Sequence, residues 1–330
     1  MQWLLQKTGL SRPAGGGEGD GDDDGALVPP QQPEVAVPAA ASKDQGPPGE
    51  YPSDVPWDEN PCLSCNSPCT AHKQLPDYLP IDMEESMLGS VKPYARHVLF
   101  QTNDGKTPRN WPYKLEQVEN SLAMELTTGA AAAGEKLGCR VVVTAVDDDA
   151  GQQAAAAEPL LRPEEVFVLP DMVALGPVTV DNARIAIEAY LTSGNAPDGL
   201  AARRVGAWRL PSGGEHGGGE SGEDSSAHGP WSACVLVCAH KLRDKRCGIA
   251  APLIMEQLRA TCAERGLLDQ VAVMGCSHVG GHKFAGNVIV YSSAGGHWYG
   301  RVKPCHADAL VHTHIEQGRV LKELWRGRME

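Results

Sequence analysis

Short apolar runs separated by polar turns recur along the chain from residue 97 onwards. The runs are rich in valine, isoleucine and leucine and are bounded by glycine, proline or charged residues, a pattern typical of buried strands. They are HVLFQT at 97–102, CRVVVTAV at 139–146, EEVFVLPDMVAL at 164–175, WSACVLVCAH at 231–240, DQVAVMGCSH at 269–278, NVIVYSSAG at 287–295 and HWYGRV at 297–302. The last two flank a short turn and predict an antiparallel pair.

Helix-like segments lie between these runs. Pro112 near the start of one segment, and Asp181 or Asn182 at the start of another, are residues that commonly open helices. The segments are WPYKLEQVENSLAMEL at 111–126, DNARIAIEAYLT at 181–192, IAAPLIMEQLRATCAERG at 249–266 and PCHADALVHTHIEQG at 304–318. The alanine-rich stretches near 130–134 and 154–157 are predicted to be loop or frayed helix. The alternation of strands and helices predicts an α/β protein.

Composition divides the chain into four parts. Residues 1–60 are rich in glycine, proline and acidic residues and predict a disordered tail, because such a segment cannot offset its ordering entropy by burial. Residues 61–210 form a predicted smaller α/β domain with a cysteine-rich lead-in. Residues 211–230 are predicted to be a flexible linker or insertion. Residues 231–330 form a second predicted domain.

Charge and cysteine content narrow the function classes. The 330 residues carry a formal net charge of −13, and no basic stripe stands out, which argues against a nucleic-acid partner. No apolar run is long enough to span a bilayer, so the sequence predicts a soluble protein. Ten cysteines without a secretory signal indicate a reducing compartment. We expect the cytoplasm, with the mitochondrion as the alternative, since acidic residues within 18–24 are atypical of a transit peptide.

Four metal-ligand side chains stand on polar turns of the second domain. Cys238 and Cys247 flank a charged segment, and His278 and His282 flank Val-Gly-Gly. Cys247 lies near a predicted helix N-terminus, where the helix dipole favours a thiolate. A lone cysteine or histidine is usually structural, but four in the turns of one domain favour a metal centre. Two thiolates and two imidazoles can hold one zinc ion or one two-iron cluster.

The sequence around these residues resembles the sucrase/ferredoxin-like family, the thioredoxin-like ferredoxins of the actin patches distal and altered inheritance of mitochondria type. The resemblance covers roughly residues 90–330 and is carried by the Cys pair, HVGGHKFAGNVIVY and WYGRVKP. It implies a thioredoxin-like ferredoxin domain over residues 231–330. It also implies a [2Fe-2S] cluster, without a Rieske fold, held by Cys238, Cys247, His278 and His282.

Other cysteines and histidines leave alternatives open. Cys62, Cys65 and Cys69 can bind zinc with a fourth ligand such as His72, form a reversible disulfide, or simply be accessible thiols. The C-x-H pairs Cys238-x-His240 and Cys276-x-His278 form a competing, Rieske-like ligand set, although their spacing departs from the Rieske pattern. Cys234 and Cys262 are predicted to be core residues, and His312 and His314 surface residues.

An electron-transfer protein is the function that these observations favour. It would be an electron carrier rather than a catalyst with its own substrate, and its partner would be a redox protein such as a reductase. Basic residues next to the ligands can dock an acidic reductase, stabilise a reduced cluster, or be merely solvated; they are Lys241, Arg243, Lys245, Arg246 and Lys283. The alternatives are a thiol-disulfide oxidoreductase or redox sensor using the N-terminal cysteines, and a structural zinc protein. The oligomeric state stays open.

Overall fold

The computed structural model describes residues 50–62, 72–102, 104–147, 158–209 and 230–330. All of these residues lie in one compact unit, Gly46–Glu330. The predicted linker at 211–230 lies almost entirely outside the described residues, as does the predicted tail up to residue 49. Trp57–Asp58, within the remainder of that predicted tail, form a short strand. No helix in the described ranges is long and apolar enough to cross a membrane.

Twelve strands and three α-helices are described. The strands are β1 (Trp57–Asp58), β2 (Arg96–Phe100), β3 (Val141–Asp147), β4 (Val166–Leu169), β5 (Val173–Gly176), β6 (Ala201–Arg204), β7 (Ala233–Cys238), β8 (Val271–Cys276), β9 (Val288–Ser292), β10 (Gly295–Tyr299), β11 (Val320–Leu321) and β12 (Trp325–Arg328). The helices are α1 (Leu122–Leu137), α2 (Ala183–Ser193) and α3 (Lys245–Glu264). The mixed α/β class predicted from the sequence is confirmed.

Ten of the strands form one sheet in the spatial order β12-β10-β9-β7-β8-β3-β2-β4-β5-β6. We call β2 to β6 with α1 and α2 the first half, and β7 to β12 with α3 the second half. Each half begins with a parallel β-α-β unit, β2-α1-β3 and β7-α3-β8. The two halves meet where β3 pairs antiparallel with β8. The sheet is therefore continuous through both halves.

Alternate side chains of the second half pack into two different parts of the core. Val235 and Val237 of β7 lie in the cluster that contains Ile254 and Leu258 of α3. Cys234, Leu236 and Cys238 of β7 lie in another cluster, which also contains first-half residues such as Leu99 and Phe167. This alternation is the period-2 pattern of a strand buried on both faces. One apolar layer thus joins the two halves on the sheet face opposite α3.

The helix predicted at 111–126 begins only at Leu122. Ser121 is its N-cap and accepts a hydrogen bond from the Met124 backbone N–H at 3.2 Å, while the preceding Asn120 has a positive φ. The alanine-rich stretch at 130–134, predicted to be loop or frayed helix, is instead the interior of α1. Small residues are needed there because α2 lies close: a Cβ on Gly129 would come within 2.3 Å of the Arg184 carbonyl oxygen.

Two other segments differ from the sequence-based expectation. The run EEVFVLPDMVAL is not one strand but the antiparallel pair β4 and β5, because a turn at Pro170 and Asp171 divides it. The predicted closing helix is a 3-10 turn at Pro304–His306 followed by a π-helix at Ala309–Glu316. The prediction that His314 is a surface residue is wrong: it is fully buried, and its Nδ1 hydrogen-bonds the Tyr299 hydroxyl at 2.5 Å.

Candidate metal centre

The two cysteines predicted as ligands come together at one edge of the sheet. Cys238 is the last residue of β7 and is 2% exposed, and its backbone N–H donates to the Asn287 carbonyl at 2.9 Å. Cys247 is the third residue of α3 and is also buried. The helix begins there because the Asp244 side chain caps it, accepting from the Arg246 N–H at 2.9 Å. As expected from the sequence, Cys247 thus lies at a helix N-terminus.

The two thiols are hydrogen-bonded to each other. The hydrogen bond from Cys247 holds the pKa of Cys238 well below its usual range, and His278 adds to the effect. The same hydrogen bond, together with burial, raises the pKa of Cys247. A pair of this kind presents two sulfur ligands to a metal centre once its protons have left.

The two predicted histidine ligands follow β8 at the same edge. β7 and β8 are parallel with Cys238 opposite Cys276, so the chain after β8 emerges beside Cys238. The ring centroids of His278 and His282 lie 5.7 Å apart. The His278 Nδ1 atom is buried and has no hydrogen-bond partner among the described residues, whereas His282 is solvent-exposed. A buried imidazole nitrogen with a free lone pair is suited to bind a metal.

One of the two glycines between the histidines leaves room for an arginine. Gly280 and Gly281 have φ values of +87° and +69°, which favour glycine. A Cβ on Gly281 would lie 2.1 Å from the Nη2 atom of Arg326, a residue of β12. The sequence did not single out Arg326, because an arginine in a terminal strand usually lies at the surface.

Asn287 connects the parts of the site. Its backbone carbonyl accepts from Cys238, and its side-chain amide donates to the Gly281 carbonyl at 2.9 Å. Its side-chain oxygen accepts from Arg326 Nη1 at 2.6 Å. Asn287 is 1% exposed, so all three bonds are shielded from water. One residue therefore ties the cysteine strand, the histidine loop and the buried arginine together.

His240 and Cys276, which belong only to the competing Rieske-like set, also lie near the site, but their hydrogen bonds and burial differ from those of the four candidate ligands. His240 is buried, with Nε2 3.2 Å from the Trp111 carbonyl and Nδ1 accepting from the His278 backbone N–H at 3.4 Å. Cys276 is fully buried, and burial raises the pKa of its thiol well above the usual value. Both nitrogens of His240 thus have partners within the chain, in contrast to His278 Nδ1.

The basic side chains near the ligands are mostly paired. Arg246 makes two hydrogen bonds to the Asp244 carboxylate, and Lys283 pairs with Glu85. Arg243 lies over the Tyr113 ring, with its guanidinium carbon 4.3 Å from the ring centroid. These contacts neutralise or cover much of the positive charge that the sequence places beside the ligands.

The four candidate ligands fit a two-iron cluster in their chemistry and pairing. No group of three or more His, Cys, Asp or Glu within the described ranges is arranged to hold one metal ion. A [2Fe-2S] cluster instead takes two protein ligands on each iron, and mixed Cys and His ligation places the two residue types on different irons. A cysteine pair and a histidine pair at one sheet edge, with an unpartnered buried nitrogen, meet that requirement.

The remaining predicted cysteines lie elsewhere. Cys62 is exposed, and Cys65 and Cys69 lie outside the described residues. Cys234 and Cys262 are 0% exposed, which confirms their prediction as core residues. Burial raises the pKa of both thiols, that of Cys262 to about 12. These two cysteines are therefore inert thiols at neutral pH.

Comparison with known proteins identifies the class to which this α/β chain belongs. The model of the Sucrase/ferredoxin-like family matches residues 87–327, and the chain is a member of that family. The family resemblance recognised from the Cys and His motifs is thereby confirmed.

Among curated proteins, the chain is similar to Altered inheritance of mitochondria protein 32 and to Actin patches distal protein 1. The former, from Clavispora lusitaniae, is 43% identical over 98 residues, which are 28% of this chain and 34% of that protein. Its Kluyveromyces lactis counterpart is 26% identical over 287 residues, and this match covers 78% of this chain and 82% of that protein. Actin patches distal protein 1 of Saccharomyces cerevisiae is 38% identical over 93 residues, covering 25% and 29%. The first of these matches thus spans about a third of the relative's length.

A solved structure also matches part of the chain. It is described as a thioredoxin-like [2Fe-2S] ferredoxin from Aquifex aeolicus, and the match covers 30% of this chain and 94% of that one. The sequence identity is 19% and the TM-score is 0.26.

Proposed function

We propose that the protein is an electron carrier that holds a [2Fe-2S] cluster through Cys238, Cys247, His278 and His282 in a thioredoxin-like C-terminal domain. The observation that carries the proposal is the convergence of a hydrogen-bonded cysteine pair and a histidine pair on one sheet edge, where the buried His278 Nδ1 has no hydrogen-bond partner among the described residues. Membership of the sucrase/ferredoxin-like family supports it.

The cluster, the cysteines and the histidines would have different roles at such a site. The bound cluster supplies reversible uptake of one electron. Cys238 and Cys247 contribute negative charge from a buried position, and two neutral imidazoles in place of two thiolates make the reduction potential higher than four cysteines would. The exposed side chain of His282 brings one end of the site to the protein surface. That end is where a partner protein can approach closely enough to exchange electrons.

We further propose that the partner is a reductase and that the protein acts in the cytoplasm, with the mitochondrion as the alternative. A cavity of about 260 Å³ reaches His278 and is lined by residues of both halves, among them Phe100, His240 and Arg243. It offers a second approach to the site, at His278. Fractionation of cells producing the tagged full chain tests the compartment: enrichment with mitochondria would contradict the cytoplasmic proposal.

The direct test is purification of the full chain without oxygen. We expect a brown protein with about two irons and two sulfides per chain and an electron paramagnetic resonance signal after reduction. A colourless protein that contains zinc and no sulfide would instead support the structural zinc function, because Zn²⁺ is d¹⁰.

A ligand exchange separates the two candidate ligand sets. Replacing His282 with Cys adds a negative charge to the cluster, so we expect a cluster with a lower reduction potential. His240→Cys is the matched control, since His240 is buried nearby and both its ring nitrogens are hydrogen-bonded within the chain. A potential that shifts with His240→Cys and not with His282→Cys would favour the set of Cys238, His240, Cys276 and His278.

A further inference from the structure

Arg326 is a buried cation in the second half of the sheet. It lies in β12 and is 2% exposed. Within the ranges that the structure describes, no Asp or Glu forms an ion pair with it. Burial lowers the pKa of the guanidinium to about 10, which leaves it charged at neutral pH. Such a group is costly to bury unless an opposite charge lies near it.

Among the described residues, Arg326 hydrogen-bonds and packs against uncharged groups. Nε donates to Ser90 Oγ at 3.0 Å, and Nη1 donates to the Gly280 carbonyl at 3.3 Å and to Asn287 Oδ1 at 2.6 Å. The guanidinium carbon lies 5.5 Å from the Phe284 ring centroid and 5.9 Å from that of Trp298. These contacts fix its orientation but supply no net negative charge. The acidic groups whose charge it senses are Cys238 and Cys247.

We propose that Arg326 is a positioning residue that serves the metal centre as a fixed counter-charge and as the support of the histidine loop. The proposal rests on the proposed cluster. With two thiolate and two neutral imidazole ligands, the cluster would carry no net charge when oxidised and one negative charge when reduced, so the buried guanidinium charge favours the reduced state. The hydrogen bonds to Gly280 and Asn287 hold the segment between His278 and His282 against the strand that carries Arg326. The guanidinium fits here because Gly281 has no Cβ.

Arg301 provides a matched comparison on the same aromatic ring. Its guanidinium carbon lies 5.1 Å from the Phe284 centroid, close to the value for Arg326. Unlike Arg326, it has a carboxylate neighbour, with Nη2 3.6 Å from an Asp82 carboxylate oxygen, and it donates to the backbone carbonyls of Asp82 and Glu85. Its charge is therefore compensated within the protein, and it does not depend on a cluster.

The experiment compares Arg326→Gln with Arg301→Gln in the full chain carrying its cluster. Loss of the buried charge in Arg326→Gln is expected to make reduction about tenfold less favourable, a shift of about 59 mV to lower potential for one electron. Arg301→Gln is expected to leave the potential near that of the wild type. Equal potentials in the two variants would overturn the proposal. A wild-type protein that contains no iron or sulfide would instead refute the proposed function itself.

The support of the histidine loop has a separate readout. Arg326→Lys keeps the charge but cannot reproduce the planar fork of donors, so we expect a potential close to wild type with faster loss of iron to a chelator. This variant also serves if Arg326→Gln does not accumulate as folded protein. Iron retention equal to wild type in Arg326→Lys would refute the positioning role. If the reduction potential of Arg326→Lys falls by as much as is expected for Arg326→Gln, the counter-charge role is refuted.

Discussion

The two halves of the sheet share a topology but not a chemistry. In each half a parallel β-α-β unit is followed by strands added antiparallel on the outer side of its first strand, β4 beside β2 and β9 beside β7. At the ends of β7 and β8 the second half carries Cys238 and, two residues beyond Cys276, His278. At the ends of β2 and β3 the first half has Phe100 and Asp147. The difference shows that the site belongs to the residues at the strand ends and not to the layered fold that presents them.

The first half instead supports the site from outside. The Trp111 carbonyl lies 3.2 Å from His240 Nε2, and the Ala145 carbonyl accepts from the Ser277 N–H at 2.8 Å, one residue before His278. The pairing of β3 with β8 also covers what would otherwise be an open sheet edge beside the histidine loop. We therefore expect substitutions in the first half to change stability more than ligation.

The largest expected effect distinguishes the cysteines of the two halves. Cys238→Ser or Cys247→Ser should abolish cluster assembly almost completely, because a hydroxyl is a poor ligand for iron compared with a thiolate. Cys139→Ser, a half-buried cysteine of the first half, should keep wild-type iron and sulfide content. Iron and sulfide analysis of the three purified variants checks this, and retained sulfide in Cys247→Ser would contradict the assigned ligand set.

A core substitution in the first half tests its supporting role. Trp111 is 0% exposed, and its ring lies 5.7 Å from that of His240 in an edge-on arrangement. Trp111→Ala should lower the free energy of unfolding by about 3–5 kcal/mol through the lost burial and the cavity left behind. Denaturant unfolding measures the loss. Iron content in the protein that remains folded should change little, and a complete loss of iron would give the first half a direct part in ligation.

The pH dependence of stability tests the contact between the halves at His97. This residue of β2 is fully buried between Thr144 Oγ1 and the hydroxyl of Tyr291 of β9, each 2.6 Å from one ring nitrogen. Burial lowers its pKa to about 3. The unfolded chain binds a proton there below about pH 6.5 and the folded chain does not, so stability falls with decreasing pH by up to about 1.4 kcal/mol per unit between these values.

Replacing His97 with Gln should make the free energy of unfolding depend less steeply on pH, whatever its effect on stability at neutral pH. Burial also lowers the pKa of His297 and His306, each to about 4, so these two residues keep contributing in the variant. Unfolding free energies measured from pH 4 to pH 7 check the difference. Identical slopes in wild type and His97→Gln would mean that His97 is protonated in the folded protein.

The smallest effect is expected at the hydrogen bonds that join β3 to the segment after β8. Ser277 Oγ accepts from the Ala145 backbone N–H at 3.0 Å and is buried. Ser277→Ala leaves that N–H without its partner and should cost about 1–3 kcal/mol. Ser232→Ala is a comparison in the same sheet, because Ser232 Oγ only donates, to the Gln270 carbonyl at 3.2 Å. A larger loss in Ser232→Ala would argue against the importance of this junction.

The sequence by itself determined most of the local elements and the candidate ligands. Apolar runs between polar turns predicted β2, β3, β7, β8, β9 and β10, since a strand buried on both faces must be apolar along its length. β4 and β5 were predicted as one strand, and β6 was not predicted because its residues are mostly exposed. The Cys and His residues stood out because metal-ligand side chains on turns after strands have few structural reasons to be there. The family motif around His278 and His282 was also recognisable from the sequence. Cys234 and Cys262 were predicted as core residues from the apolar pattern around them.

Only the tertiary structure decided which distant segments meet. The local sequence does not predict that β3 pairs with β8, because sheet pairing depends on contacts between segments far apart in the chain. The start of α1 at Ser121 follows a positive φ at Asn120, which the sequence did not indicate. The alanines of α1 are buried because α2 packs against them. His314 and Arg326 have polar side chains, which predict exposure, yet both are buried. Their partners, the Tyr299 hydroxyl for His314 and the Ser90 and Asn287 side chains for Arg326, come together only when the chain folds.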